Sequence, residues 1–192
     1  MKIAIIGKGN VGSALASGLS RTGHEVRAVG REDNATRKAA EDADLIIVAV
    51  PFGAVDEAAR DIGTAASGKV VIDATNALTP TMELAVDSST TSGAEELQKK
   101  LPEARVAKAF NTSFATAMAT GHMNGEQLAG LVAADDADAK AQVLGLVEQL
   151  GFDPIDAGPL ANARLLEPLA LLNIKLGFVQ GYGPNSGFRL VH

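Results

Sequence analysis

The chain has no cysteine, no tryptophan and one tyrosine among its 192 residues. Without cysteine there are no disulfides, thiolate nucleophiles or cysteine-ligated metals, which agrees with a cytoplasmic protein. The shortage of aromatics leaves little flat surface on which nucleic-acid bases could stack. Basic residues number 17 against 23 acidic ones, a net charge of −6 with no basic stripe, so neither nucleic acid nor an anionic membrane surface is an expected partner. No apolar run approaches membrane-spanning length, and the place of a signal peptide reads instead as a strand followed by a glycine turn. The three histidines, His24, His122 and His192, stand far apart in the sequence. There is no H-E-x-x-H, no carboxylate cluster around a histidine and no G-x-S-x-G. Metal hydrolysis and triad chemistry therefore have no foothold, and no metal site is expected.

What is abundant is apolar residues, at 46%, and glycine, at 20 residues. The first of the apolar runs, Lys2 to Ile6, breaks at Gly7 and is followed by Gly9 and Gly12, after which the pattern turns helical. This strand, glycine turn and helix carry the spacing G-x-G-x-x-G over Gly7, Lys8, Gly9, Asn10, Val11 and Gly12. Gly7 permits the tight turn, Gly9 lets a pyrophosphate approach the backbone, and Gly12 lets helix and strand pack closely. Free amides and the positive end of the helix dipole then face the phosphates. The bare pattern is weak; a second strand, Glu25 to Val29, gives it weight by closing a β-α-β unit.

That second strand ends in Gly30 and Arg31, where an NAD site would place an acidic residue on the ribose. A guanidinium there suits a 2′-phosphate, so NADP(H) is the expected cofactor; the competing assignment has Glu32 accept from the ribose and leaves Arg31 in solvent. Downstream, strands are expected at 45–50, 69–74, 105–110, 128–133 and 152–155. Helices are expected at 35–41, 55–62, 94–101, 137–150 and 164–179. Alternating strands and helices with short joints imply an α/β fold, a doubly wound and mostly parallel sheet of Rossmann type. Between Ala77 and Gly93 the pattern resists assignment and reads as a linker or, alternatively, a lid.

Polar and glycine residues interrupt the strands at their carboxyl ends: Gly7 to Gly12, Gly30 and Arg31, Val50, Pro51 and Phe52, Thr75 and Asn76, Asn111 and Thr112, and Asp156 to Pro159. Ligands of open α/β sheets lie outside those ends, so one rim is expected to collect the site. Asn76 and Asn111 offer amides suited to a nicotinamide ribose or carboxamide, and Phe52 can pack against the cofactor; an asparagine after a strand also simply makes turns. Lys108, inside its strand, reads as a solvent-facing lysine at a sheet edge rather than a buried base. No residue is assigned a catalytic role.

These residues resemble the NADPH-dependent reductases of the deazaflavin coenzyme F420. The resemblance is carried by Ile6 to Gly12, Ala49 to Pro51, Val71 to Asn76, Lys108 to Thr112, Asp156 to Leu160, Asn162 to Glu167 and the tail Gly181 to Leu190. The Ala-Phe-Asn-Thr form around Asn111 is closer to the cytosolic reductase domain of the six-transmembrane metalloreductases, the archaeal F420 enzymes tending to a histidine there. Ala77 follows Asn76 where such relatives often have proline, and the short stretch before Leu45 leaves out an edge strand. The resemblance implies direct hydride transfer between NADP(H) and F420 or a related flavin, with the cofactors supplying the chemistry. It divides the chain into an NADP-binding unit, 1–160, and a C-terminal helix and tail, 161–192, completing the acceptor site. Phe114, Leu160, Gly183, Pro184 and Asn185 are the expected acceptor-side residues, and a homodimer through the apolar terminal helix is expected. The alternatives are an NADPH-dependent flavin, quinone or ferric-chelate reductase and a non-catalytic NADPH-binding module. An imine reductase or β-hydroxyacid dehydrogenase is disfavoured because no large second domain follows Leu160.

Overall fold

In a computed structural model, which describes residues 1–31 and 35–191, the chain folds as a seven-stranded sheet between two helical layers. Glu32, the competing ribose ligand, and His192 lie outside the described residues. The strands are β1 (Lys2–Ile6), β2 (Glu25–Val29), β3 (Leu45–Val48), β4 (Val70–Asp73), β5 (Arg105–Lys108), β8 (Ala129–Ala134) and β9 (Asp153–Asp156). The sheet order is β2-β1-β3-β4-β5-β8-β9. A separate two-stranded hairpin joins β6 (His122–Met123) and β7 (Glu126–Gln127) through Asn124 and Gly125, both at positive φ as a tight hairpin turn requires. The helices are α1 (Asn10–Arg21), α2 (Thr36–Asp42), α3 (Val55–Ile62), α4 (Gly93–Lys100), α5 (Ala115–Met118), α6 (Ala137–Gln149) and α7 (Ala163–Phe178). Among the described residues no helix is long and apolar enough to cross a membrane.

Side chains alternate across a strand, and that parity splits the apolar runs between two cores. Ile3, Ile5, Leu45, Ile47, Val70 and Ile72 pack with Leu15, Leu19, Val143 and Leu146, from α1 and α6. Ala4, Ile6, Ile46, Val48, Val71 and Val106 pack with Ala39, Ala40, Val55, Ile62 and Leu97, from α2, α3 and α4. Lys108 shares the parity of Val106, and Asp73 that of Val71, so both are directed to this second face as register partners on adjacent strands.

Three expectations change. β5 is an interior strand, paired to β4 and β8, so Lys108 is fully buried and is not at an edge. β8 pairs antiparallel to β5, and β9 parallel to β8. The carboxyl end of β9 therefore points away from the rim served by β1 to β5, and Asp156 to Pro159 leave the site; Asp156 instead pairs with Lys140 near the start of α6. Finally, residues 77–92 form neither linker nor open lid. Ala85 N–H donates to Ala77 O, Thr79 N–H to Glu83 O, and the pairing of Leu78 with Leu84 closes the loop. Ser92 Oγ then accepts from Glu95 N–H at 3.2 Å and donates to its carboxylate at 2.8 Å, a cap that starts α4.

Candidate active site

The glycine turn is fixed by space. Gly7 has φ +121°, and a Cβ there would stand 2.2 Å from Ala49 O; one on Gly12 would stand 2.0 Å from Gly7 O. Around Gly9, by contrast, nothing lies within 4 Å of such a position. Gly9 is the N-cap of α1 and brings no capping side chain of its own, so among the described residues the first amides of that helix are given no side-chain cap. A tight turn, an open approach and an uncapped helix start fit a pyrophosphate. Lys8, Asn10 and Gly9 are exposed beside it, Val11 half-buried.

From this turn a cleft extends between β2 and α3, lined by Gly7, Val29, Gly30, Arg31, Thr36 and Val50 together with Ala54, Glu57 and Asp61. Its apolar floor suits an adenine and ribose. Arg31 stands at its mouth, 83% exposed, its guanidinium 2.9 Å from the Glu57 carboxylate. Arg37 and Arg60 line the adjoining depression with Arg31. These two arginines and Glu57 were not foreseen from sequence, because nothing in their spacing links α2 and α3 to the end of β2.

Just past the carboxyl end of β3 stand exposed Pro51 and half-buried Phe52, which begins a short turn at Phe52–Ala54. Asn76 and Asn111 lock together. Asn111 Nδ2 donates to Asn76 Oδ1 at 3.1 Å and to Leu166 O at 3.0 Å, while Asn76 Nδ2 donates to Asn111 O at 3.2 Å. Two acceptors on one nitrogen fix the Asn111 amide, and its Oδ1 is left buried without a protein partner. Phe110, just before it, has φ +67°, a conformation that costs a bulky residue about 1–3 kcal/mol and that turns the chain sharply from β5 into this position.

Beneath these amides lies a buried ionic cluster. Lys108 Nζ donates to Asp73 Oδ2 at 3.0 Å, to Glu167 Oε1 at 2.8 Å and to Thr75 O at 2.7 Å. Burial alone would lower the ammonium pKa, but the two carboxylates outweigh it and hold Lys108 above its ordinary value. Glu167 also accepts from Gly93 N–H at 3.0 Å and Ala94 N–H at 3.3 Å, so α7 caps the start of α4. Arg164 adds a bidentate bond to Glu95 at 2.9 and 2.6 Å. A lysine inside an apolar strand is the sequence feature that could have pointed to this cluster; its pairing with Asp73 follows only from the register of β4 with β5.

Near the end of α7, Phe114 meets Phe178 edge to face at 5.5 Å, and Gly183 N–H donates to Gly177 O. Thr116 Oγ1 donates to Pro184 O at 2.8 Å and Asn124 Nδ2 to Asn185 O at 3.4 Å. Phe114, Gly183, Pro184 and Asn185 are thus neighbours near the end of α7. Leu160 is not: it is buried in the core under α4, where a floor role would need it open. No cluster of metal-ligating side chains occurs among the described residues.

A family model described as NADP oxidoreductase, coenzyme F420-dependent, matches residues 2–38 and 32–77. The F420-dependent NADP reductase of Methanothermobacter marburgensis is 31% identical over 100% of this chain and 99% of its own. The chain belongs to the F420-dependent NADP reductase family. A crystal structure from Arthrobacter sp. FB24, provisionally described as an F420-dependent NADP reductase, superposes with a TM-score of 0.89 at 28% identity and covers both chains completely. The family resemblance extends to the rat metalloreductase STEAP3, 30% identical over 89% of this chain; this chain spans 37% of that protein's length. Against this family background the site contains turns, amides and apolar walls around the crevice, with its one buried ammonium locked below them.

Proposed function

We infer that the chain is an NADPH-dependent oxidoreductase that passes hydride between NADP(H) and coenzyme F420. The observation that carries this reading is the end-to-end match to a reductase of that name. In such a reaction the reduced nicotinamide gives up a hydride, two electrons with a proton, to the central carbon of the deazaflavin, and one further proton is taken from water. This chain's task is to hold two rings at about 3–3.5 Å, a matter of orientation for which no protein acid or base is required. Gly7 to Gly12 would hold the pyrophosphate, Arg31 the 2′-phosphate, and Asn76 and Asn111 the nicotinamide end. Phe114, Gly183, Pro184 and Asn185 would border the acceptor. Mixing the purified protein with NADPH and F420 should consume nicotinamide absorbance; an inactive mixture counts against the reading.

A second reading, a flavin or ferric-chelate reductase, is favoured by Asn111 in its Ala-Phe-Asn-Thr setting and by the match to STEAP3. FMN and a ferric chelate in the same assay decide between the two acceptors. We also propose a homodimer through α7. Leu165, Leu172 and the C-cap residue Val179, spaced by seven residues, fall on one side of the helix axis at 68%, 49% and 72% exposure, and Phe178 and Tyr182 are also exposed. Leu172→Glu should convert a dimeric mass in solution to a monomeric one, and a monomeric mass for the unaltered protein would remove the proposal. A cytoplasmic location accords with the absence of cysteine.

A further inference from the structure

The Lys108 cluster is more than a core ion pair, because of what it grips. Thr75 is held at both of its peptide links: its N–H donates to Asp73 Oδ1 at 2.9 Å, and its carbonyl, in the link to Asn76, accepts from Lys108 Nζ at 2.7 Å. The next residue is Asn76, whose amide faces Asn111. Asn111 is tied in turn to the Leu166 carbonyl, one residue before Glu167 on α7. The same ammonium therefore grips the peptide preceding one crevice amide and the helix residue adjoining the anchor of the other. Glu167 extends the grip to the start of α4 beside Phe52, since a Cβ on Gly93 would meet Glu167 Oε1 at 3.1 Å and the Phe52 ring at 3.2 Å. A buried charge triad is costly to assemble, and an apolar set of the same volume would serve stability as well or better. Apolar side chains cannot, however, fix a carbonyl and an amide to a few tenths of an ångström.

We propose that Lys108, Asp73 and Glu167 are positioning residues, which hold the Asn76 and Asn111 amides at the spacing that receives the nicotinamide end of the cofactor. The proposal rests on the reading that this end of the crevice takes the nicotinamide. It separates the cluster from the pyrophosphate turn, which shares no hydrogen bond with it among those given above. Loss of the cluster should thus weaken binding of the nicotinamide part alone.

The experiment compares NADPH with 2′-phospho-ADP-ribose, the same molecule without its nicotinamide, by calorimetric titration. Lys108→Met alone leaves two buried carboxylates and can fail to fold, so the informative variant is the neutral triple Asp73→Asn, Lys108→Met, Glu167→Gln, with its melting temperature measured alongside. In the unaltered protein NADPH should bind tenfold or more tighter than the fragment. In the triple variant that advantage should fall to threefold or less, with fragment affinity and melting temperature close to those of the unaltered protein. An undiminished advantage would overturn the proposal, and so would a parallel fall of both affinities with the melting temperature, which marks a purely structural role. Equal affinities in the unaltered protein would overturn the nicotinamide placement itself and this inference with it.

Discussion

At the end of the crevice proposed for the adenosine the groups expected to meet the cofactor come from one β-α-β unit, between Gly7 and Arg31, and most are backbone or exposed. At the β4 and β5 end the two amides rest on a buried cluster drawn from three separate stretches: Lys108 reaches Asp73 across 35 positions and Glu167 across 59. The first end needs only a correct local turn. The second exists only when β4, β5 and α7 have all docked. Turn geometry should therefore govern affinity at one end, and global packing should govern both stability and alignment at the other.

The largest break in this comparison is expected from Lys108→Met. Removing one member of a buried charge cluster strands the others, and the usual cost is about 3–5 kcal/mol. The urea midpoint should drop accordingly; a variant within about 1 kcal/mol of the unaltered protein, less than the usual cost of a stranded buried charge, would show the cluster to be open to water. The glycine turn sharpens the other side. Gly7→Ala forces a left-handed φ onto a side chain that also overlaps Ala49 O, so it should destabilise by about 1–3 kcal/mol and abolish tight NADPH binding. Gly9→Ala has room within the protein, so its melting temperature should be unchanged while NADPH affinity falls about tenfold, a factor worth roughly 1.4 kcal/mol. Equal loss of stability in both variants would contradict the assignment of Gly9 as the position of ligand approach.

The same contrast explains what was legible beforehand. The apolar run at 45–50 and the glycine spacing are short-range signals, and elements read from such local patterns fall within a residue or two of expectation: α3 and α6 begin at Val55 and Ala137, as expected. The direction of β8 and β9 is not a short-range signal. Nothing in Leu128 to Ala133 says whether it runs with β5 or against it, so Asp156 to Pro159 were expected at the wrong rim. Lys108 failed for a related reason. A lysine is expected in solvent unless its partners are visible, and Glu167 becomes visible only once α7 is folded over β5. The loop 77–92 read as a linker because its order comes from backbone hydrogen bonds, which leave no apolar period in the sequence.

Of the same size as the last of these is the effect expected of Arg31. A charge-assisted phosphate bond contributes about 1.5–3 kcal/mol, and at 83% exposure the lower figure applies, so Arg31→Ala should cut the preference for NADPH over NADH about tenfold. Affinity for NADH should hardly move, since NADH lacks the 2′-phosphate. Because Glu57 holds the same guanidinium at 2.9 Å, Glu57→Gln should raise NADPH affinity slightly; no change in preference on Arg31→Ala would shift the 2′-phosphate to Arg37 and Arg60.

The smallest expected effect concerns the tie between α7 and α4 that does not pass through the buried cluster. The hydrogen bonds from Arg164 hold the Glu95 carboxyl below its ordinary pKa, against the opposing effect of burial, with Ser92 adding to the depression. A carboxyl whose folded-state pKa is depressed contributes stability above its unfolded value, about 4.3 for glutamate, and loses it as pH falls through the lower folded value. Arg164 remains charged throughout, its own pKa raised by the same bond. The pair is partly exposed, so screening limits the contribution to less than about 1 kcal/mol. Glu95→Gln should therefore lower stability slightly at pH 7 and remove part of the decline expected between neutral pH and pH of about 3, below the unfolded glutamate pKa. Chemical denaturation of the variant and the unaltered protein at both pH values measures this. A difference that persists undiminished at the acid end would mean that the link between the helices is made by packing, and that Lys108 and Glu167 carry its electrostatic part alone.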